Sequence, residues 1–110
     1  MNNDLKMRIT KFRDDRDWAQ FHNPKDLAIS LSLEAAELLE NFQWVSSEEA
    51  LQNNMEQIKD ELADVLILSI LLSDVIGVNL DEIIDEKLKK NEDKYPVDKA
   101  QGRKEKYTEL

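Results

Sequence analysis

The sequence has 110 residues, 35% of them charged, and a formal net charge of -9 at pH 7. This length suits one domain with a modest core rather than two, and the acidic balance disfavours binding to nucleic acid or an anionic membrane through a basic face. The lack of cysteine excludes a disulfide framework, a thiol nucleophile and a zinc knuckle. Two Gly and two Pro are too few for the tight turns of a sandwich or barrel, so we expect an all-α fold.

The first two helices are predicted from apolar spacing and a capping signal. Leu5, Ile9 and Phe12 recur at helical spacing, which predicts a helix over about 3–18. Asn23 is suited to cap a second helix and Pro24 to occupy its first turn, so that helix is expected over about 24–43. Residues 1–11 lack the apolar run and cleavage site of a secretory signal, so we expect a cytoplasmic protein.

The third helix is predicted to be long. Ser46 and Glu49 form a capping box, and the run after them ends at Gly77, a residue typical of helix C-termini. We expect about 30 residues, weakened at 53–54. Its apolar stretch, 65–76, falls short of the roughly 20 residues that a membrane crossing requires. It is therefore expected to be a core helix and not a membrane span.

The fourth helix begins with a similar cap and ends before a proline. Asn79 and Glu82 repeat the capping pattern, and Pro96 restricts Tyr95 and cannot extend the hydrogen-bond ladder. We therefore expect a single domain over residues 1–96, followed by a polar tail over 97–110.

Two pairs of acids interrupt the apolar faces of helices two and three. Glu34 lies in line with apolar residues of its helix, and Glu37 sits about 60° around from it. On helix three, Asp64 lies in line with leucines, and Glu61 precedes it by one turn. Each helix therefore places two carboxylates at or beside its buried face.

Four carboxylates that converged between two helices would repel one another unless a cation neutralised them. Oxygen-only ligands with high negative charge suit Mg²⁺ or Mn²⁺, which share their remaining positions with water and substrate phosphates. The pattern predicts a metal site that processes phosphates. Acids three residues apart are also common on solvated helix faces, and spacing alone leaves that interpretation open.

Aromatic and basic residues supply further candidates for binding. Trp18, His22 and Trp44 flank helix two, where aromatic faces are suited to sandwich a nucleobase; ordinary core packing is the alternative. Lys94 is placed to meet a phosphate, although a lysine in the last turn also complements the helix dipole.

Several motifs occur in a characteristic order: FRDDRDW (12–18), FH before Pro24, EAAE (34–37), FQW (42–44), ELADVL (61–66), Asn91 with KYP (94–96), and KYTEL (106–110). Over nearly its whole length the sequence resembles the MazG-type nucleoside triphosphate pyrophosphohydrolases, and most of all their dCTP pyrophosphatase group. Leu33 stands where the broader superfamily often has the first of two glutamates.

The resemblance implies a four-helix fold that packs into an oligomeric helical bundle. It also implies hydrolysis of a (d)NTP between its α and β phosphates to a nucleoside monophosphate and pyrophosphate. The expected substrate is dCTP or a modified cytosine nucleotide, cleared from the nucleotide pool.

The resemblance also implies roles for residues at matching positions. Four carboxylates would hold Mg²⁺, and the first two of them are the candidates for orienting the attacking water: Glu34, Glu37, Glu61 and Asp64. Three residues of helix four would approach the phosphates or sugar: Asn91, Lys94 and Tyr95. Three others would form the base pocket: Trp18, His22 and Trp44.

Self-assembly is expected from the third helix. Residues 62–72 are apolar nearly all round, more than the other helices of so small a chain can easily cover. A homo-oligomer is therefore expected, and the resemblance implies a dimer or a tetramer. Two other interpretations remain: a non-catalytic acidic helical module that mates with a partner, and a protein that binds a divalent cation without catalysis.

Overall fold

The computed structural model describes residues 2–110, which form helices and short connections, with no strand among them. The four long helices are α1 (Asn3–Asp15), α2 (Pro24–Glu40), α3 (Ser47–Ile76) and α4 (Leu80–Lys94). A 3-10 helix (Trp18–Phe21) precedes α2, and α5 (Val97–Ala100) and a second 3-10 helix (Tyr107–Glu109) follow α4. The predicted all-α fold is confirmed. No helix in residues 2–110 has the length and apolar character that a membrane span needs.

The three predicted helix caps are confirmed. The side chains of Asn23, Ser46 and Asn79 each accept a hydrogen bond from the backbone N–H three residues later, at 2.9, 3.1 and 3.0 Å respectively. These bonds satisfy amides that have no partner inside the helix. At the other end of α3, Gly77 takes the left-handed conformation at φ 75°, which a residue with a Cβ rarely adopts.

Two helices end earlier than predicted, and a residue other than glycine adopts a left-handed backbone conformation in the connection after each of them. Asp17 has φ 55°, so α1 stops at Asp15 and a 3-10 helix follows instead of a continuous helix to 18. Helix α2 stops at Glu40 rather than 43, and Trp44 has φ 67° in the connection to α3. The predicted polar tail, 97–110, contains a short helix and a 3-10 turn.

Helix α3 bends at Asn54, within the 53–54 weak point that the sequence predicts. The backbone there has φ -122° and ψ 19°, outside the helical range. The side-chain Nδ2 of Asn54 donates a hydrogen bond of 3.0 Å to the carbonyl oxygen of Asn41, which caps α2. The bend in α3 is therefore fastened to the end of α2.

The internal contacts divide the chain into two compact units, the first ending at Gly77 and the second spanning Val78–Leu110. In the first unit, α2 packs extensively on α3, and α1 packs on α3 as well. The buried apolar residues all lie there: Ile9, Leu27, Ala50, Ile58, Ile70 and Leu71. In the second unit, the rings of Tyr95 and Tyr107 meet edge to face with centroids 6.0 Å apart. The expected single domain over 1–96 remains a prediction.

Candidate functional site

Three of the four predicted metal ligands meet between α2 and α3. Glu34 on α2 and Glu61 and Asp64 on α3 each offer one carboxylate oxygen, and these three atoms lie within 4.8 Å of one another. Glu61 and Asp64 are three residues apart and so share a face of α3. The packing of α2 on α3 turns Glu34 toward that face. We call these three residues the carboxylate cluster.

Glu37, the fourth predicted ligand, lies at the margin of this cluster. It follows Glu34 by one turn of α2, and its side chain is exposed. Glu37 lies close to both Glu34 and Glu61. Its hydrogen bonds and its negative charge raise the pKa of each of these two residues. Glu37 therefore lies beside the cluster, but its carboxylate is not one of the three that meet.

The cluster makes ionisation of its own members difficult. The pKa of Glu34 is raised to about 7, first by burial, then by hydrogen bonds with Glu61 and Glu37, and then by the charges of Glu37 and Asp64. For Glu61, the hydrogen bond with Glu34 lowers the pKa, but burial and the acids Glu37 and Asp64 outweigh it and leave the pKa raised. Without a cation, the site therefore favours holding a proton near neutral pH.

The oxygen atoms of the cluster fit a hard divalent cation. Oε2 of Glu34 and Oε2 of Glu61 are buried, and no hydrogen-bond partner reaches either atom within residues 2–110. Buried polar atoms are seldom left without a partner, so each such atom calls for an explanation. Carboxylate oxygens without nitrogen or sulfur ligands are the donor set that Mg²⁺ and Mn²⁺ prefer. The residues present therefore fit the predicted metal.

A cavity of about 680 Å³ adjoins the cluster, inside the size range of small-molecule sites. Helices α1, α2 and α3 enclose it, and Glu34 and Asp64 contribute to its lining. Most of the remaining wall is apolar or aromatic: Leu5, Ile9, Phe12, Trp18, Ile67, Leu68 and Leu71. Four basic residues also line the cavity, so a ligand with a flat apolar part and an anionic part matches this lining: Arg8, Lys11, Arg13 and Arg16.

Aromatic residues form the α1 side of the cavity. The rings of Phe12 and Trp18 meet edge to face, with centroids 5.7 Å apart and planes inclined by 75°. The guanidinium of Arg16 lies 3.6 Å from the centroid of Phe12, a cation–π contact. His22 also lines the cavity, and its buried Nδ1 has no hydrogen-bond partner in the described part of the chain.

Trp44 and three residues of the second unit are the remaining predicted binding residues. Trp44 is 97% exposed and does not line the cavity. Asn91, Lys94 and Tyr95 belong to the second unit, where Nζ of Lys94 lies 4.9 Å from the centroid of the Tyr107 ring.

Sequence reasoning missed several residues of the cavity wall. The sequence predicts Phe12 only as an apolar position of α1 and the start of a motif, and Leu68 and Leu71 only as leucines in line with Asp64, although all three line the cavity. Spacing identifies a face, but it does not reveal that the facing helices leave an open space beside it.

Comparison with known proteins identifies the family. A model of the MazG-like family matches residues 29–110, a stretch that contains all four predicted metal ligands. The chain belongs to the MazG-like family. This MazG-like protein is 35% identical to dCTP pyrophosphatase 1 of Mus musculus and 34% identical to that of Homo sapiens, over 112 residues in each case. The prediction of family membership from the sequence motifs is confirmed.

These alignments differ in how much of each protein they cover. They cover 97% of this MazG-like chain, including Trp18 and His22, but the chain spans only 66% of the length of either curated relative. A crystal structure described as a pyrophosphatase from Archaeoglobus fulgidus DSM 4304 is similar with a TM-score of 0.80 and 45% identity. That similarity covers 84% of this chain and 90% of the archaeal one.

Proposed function

We propose that this protein is a nucleoside triphosphate pyrophosphohydrolase, which cleaves a (d)NTP between its α and β phosphates to a nucleoside monophosphate and pyrophosphate. The observation that carries the proposal is the meeting of three carboxylates beside an apolar cavity that two of them line. Membership of the MazG-like family and the names of the relatives support the same reaction. Its role would be to clear nucleotides from the pool in the cytoplasm.

The predicted cofactor is Mg²⁺, with Mn²⁺ as an alternative. Its ligands would be the carboxylate cluster with Glu37 beside it, and the unsatisfied Oε2 atoms of Glu34 and Glu61 support this assignment. When bound, such an ion polarises phosphoryl oxygens and neutralises their charge. That countercharge matters because a chain of net charge -9 otherwise repels a triphosphate.

Glu34 and Glu37 are the proposed catalytic residues. They stand one turn apart on α2, Glu34 inside the cluster and Glu37 at its exposed margin. The carboxylate of Glu37 at that margin is exposed to solvent. In this position, one of the two orients a water molecule for in-line attack and accepts its proton.

Base recognition is assigned to the aromatic side of the cavity. Trp18 offers a ring face for stacking, and the unpartnered Nδ1 of His22 offers a hydrogen bond to a base. Trp44 is exposed outside the cavity. It would therefore contact the base of a substrate bound to a second copy of the chain. The names of the curated relatives support dCTP or a modified cytosine nucleotide as the substrate.

Asn91, Lys94 and Tyr95 are proposed to contact the phosphates or the sugar. Lys94 supplies the positive charge that a phosphate requires, and Asn91 and Tyr95 supply hydrogen-bonding groups. The ring of Tyr107 contacts both Lys94 and Tyr95 and so limits the positions that their side chains adopt.

Homo-oligomerisation is proposed from the apolar residues that α2 and α3 leave exposed. Leu33 and Leu39 are each 61% exposed, and Leu62 and Leu66 are 48% and 50% exposed. Apolar surface of this extent on neighbouring helices is typical of an interaction site. Light scattering of the purified protein is expected to give a small multiple of 12.8 kDa, corresponding to a dimer or a tetramer. A mass of 12.8 kDa at micromolar concentration would contradict this proposal.

A product assay tests the proposed reaction. The purified protein is incubated with each dNTP and Mg²⁺, and pyrophosphate, orthophosphate and nucleotide products are measured separately. Pyrophosphate and dNMP in equal amounts are expected, with dCTP turned over fastest. Orthophosphate as the first product would contradict cleavage between the α and β phosphates.

The same assay separates the two other interpretations. A protein that Mg²⁺ stabilises against heat but that leaves every triphosphate intact would be a cation-binding protein without catalysis. A protein with neither response would be a non-catalytic helical interaction module.

A further inference from the structure

Arg13 and Asp74 form an ion pair that joins α1 to α3. Nη1 of Arg13 donates a hydrogen bond of 2.6 Å to Oδ2 of Asp74, which lies 61 residues away in the sequence. Nε of the same guanidinium donates to Oδ1 of Asp14 at 2.9 Å. The Arg13 side chain is 11% exposed and that of Asp74 is 47% exposed, so the pair joins a largely covered cation to a carboxylate that solvent reaches.

The ion pair lies at the end of the cavity remote from the carboxylate cluster. Asp74 follows Asp64 by ten residues of α3, which corresponds to about 15 Å along a helix axis. Arg13 itself lines the cavity, together with Ile9 and Phe12 of the same helix. The pair therefore connects α1 to α3 at a level of α3 that neither the carboxylate cluster nor a metal bound to it would reach.

Few other contacts fix the position of α1. Ile9 is its one buried residue within Asn3–Asp15, and the two rings on this side of the cavity, Phe12 of α1 and Trp18 of the 3-10 helix that follows, are both exposed. Phe12 is 51% exposed and Trp18 is 44% exposed. Arg13 follows Phe12 directly, and Phe12 contacts Trp18, so anchoring Arg13 fixes the place of both rings.

We infer that Arg13 and Asp74 are positioning residues that hold α1 as a fixed wall of the cavity and thereby set its affinity for the base of the substrate. The inference rests on the proposed function for the identity of the ligand. Arg13 stays cationic throughout, because hydrogen bonds to Asp14 and Asp74 raise its pKa further above its usual value. In this role the pair acts on the bound base through Phe12 and Trp18, and does not touch the reacting phosphates.

Steady-state kinetics of four variants tests the inference. Arg13→Met and Asp74→Asn are each expected to raise KM for the preferred dNTP roughly three- to thirtyfold with kcat nearly unchanged, since the phosphates still meet the same carboxylates. The double variant is expected to be no worse than the more affected single variant, because both changes break one interaction. Asp74→Glu, which keeps the negative charge that Asn lacks, is expected to restore most of the affinity.

A second readout does not depend on turnover. In a Trp44→Phe background, Trp18 is the sole tryptophan, and its fluorescence is expected to be quenched more strongly by acrylamide when Arg13 is replaced by Met. Lys59→Met serves as the matched control, because Lys59 pairs with Glu56 within α3 on the exposed surface. That control is expected to leave both KM and quenching unchanged.

Several results would overturn the inference: unchanged KM and quenching in Arg13→Met, additive effects in the double variant, or a fall in kcat as large as the rise in KM. Thermal unfolding of each variant identifies a loss of folding, and Asp74→Asn, which keeps the Arg13–Asp14 bond, is the milder change. If the wild-type protein hydrolyses no triphosphate, the proposed function fails, and the quenching of Trp18 alone decides whether the pair holds α1.

Discussion

Replacing Asp64 with Asn is expected to lower kcat for the preferred dNTP roughly a hundredfold or more and to raise the melting temperature of the metal-free protein. Turnover falls because one of the three oxygens that meet in the carboxylate cluster no longer carries negative charge toward a cation. Stability rises because the same change removes repulsion among Glu34, Glu61 and Asp64. Opposite changes in activity and stability are the signature of charges that are kept for function.

Glu56→Gln is the matched control for this prediction. It also removes one acid from α3, but the Glu56 side chain is 83% exposed and pairs with Lys59. Its kcat and melting temperature are expected to stay close to those of the wild type. Asp64→Asn with wild-type turnover, or with a sharply lower melting temperature in the absence of metal, would show that Asp64 serves the fold and not a metal site.

Removing divalent metal with a chelator is expected to abolish turnover, and adding Mg²⁺ or Mn²⁺ is expected to restore it. Without a cation, the negative charges of the carboxylate cluster repel the negatively charged triphosphate. Metal is also expected to raise the melting temperature of the wild type but not that of Asp64→Asn. Turnover that persists in excess chelator would contradict the assignment of the cluster as a metal site.

The metal-free protein is also expected to lose stability as the pH rises through neutrality. The pKa of Glu34 is about 7 in the folded protein, against 4.5 as its ordinary value, so the folded state holds this proton more tightly than the unfolded chain. The stability that this proton contributes is present in full below pH 4.5 and is lost as the pH rises through about 7. Melting temperatures from pH 4 to 8 measure the effect, and Glu34→Gln, which cannot lose a proton, should show a weaker decline. Equal slopes in both proteins would assign the pH dependence to other groups.

The local architecture of this chain is predictable from its sequence because short-range signals decide it. Ser46 and Gly77 mark the two ends of α3, and both act through hydrogen bonds or backbone angles of the residues beside them. The end of α1 is not predictable in the same way, because Asp17 adopts a left-handed conformation at φ 55° that nothing in its neighbourhood announces.

The site is predictable in part, and distance along the chain sets the limit. Spacing on single helices identified Glu34, Glu61 and Asp64, which the structure brings within 4.8 Å of one another. The same spacing also selected Glu37, which lies at the exposed margin of the cluster. The pairing of Arg13 with Asp74 depends on how two helices cross, which periodicity within one helix does not contain.

The bond between Asn54 and Asn41 joins the two helices that carry the acids at one level. Glu34 lies seven residues before Asn41 and Glu61 seven residues after Asn54, so each is about 10.5 Å, or nearly two full turns, from the bond. Antiparallel helices fastened at that point bring these two glutamates level on facing sides. A slip of one turn, about 5.4 Å, would exceed the 4.8 Å within which the three oxygens lie. The amide of Asn54 therefore acts together with the packing of α2 on α3 to hold the register on which the acidic centre depends.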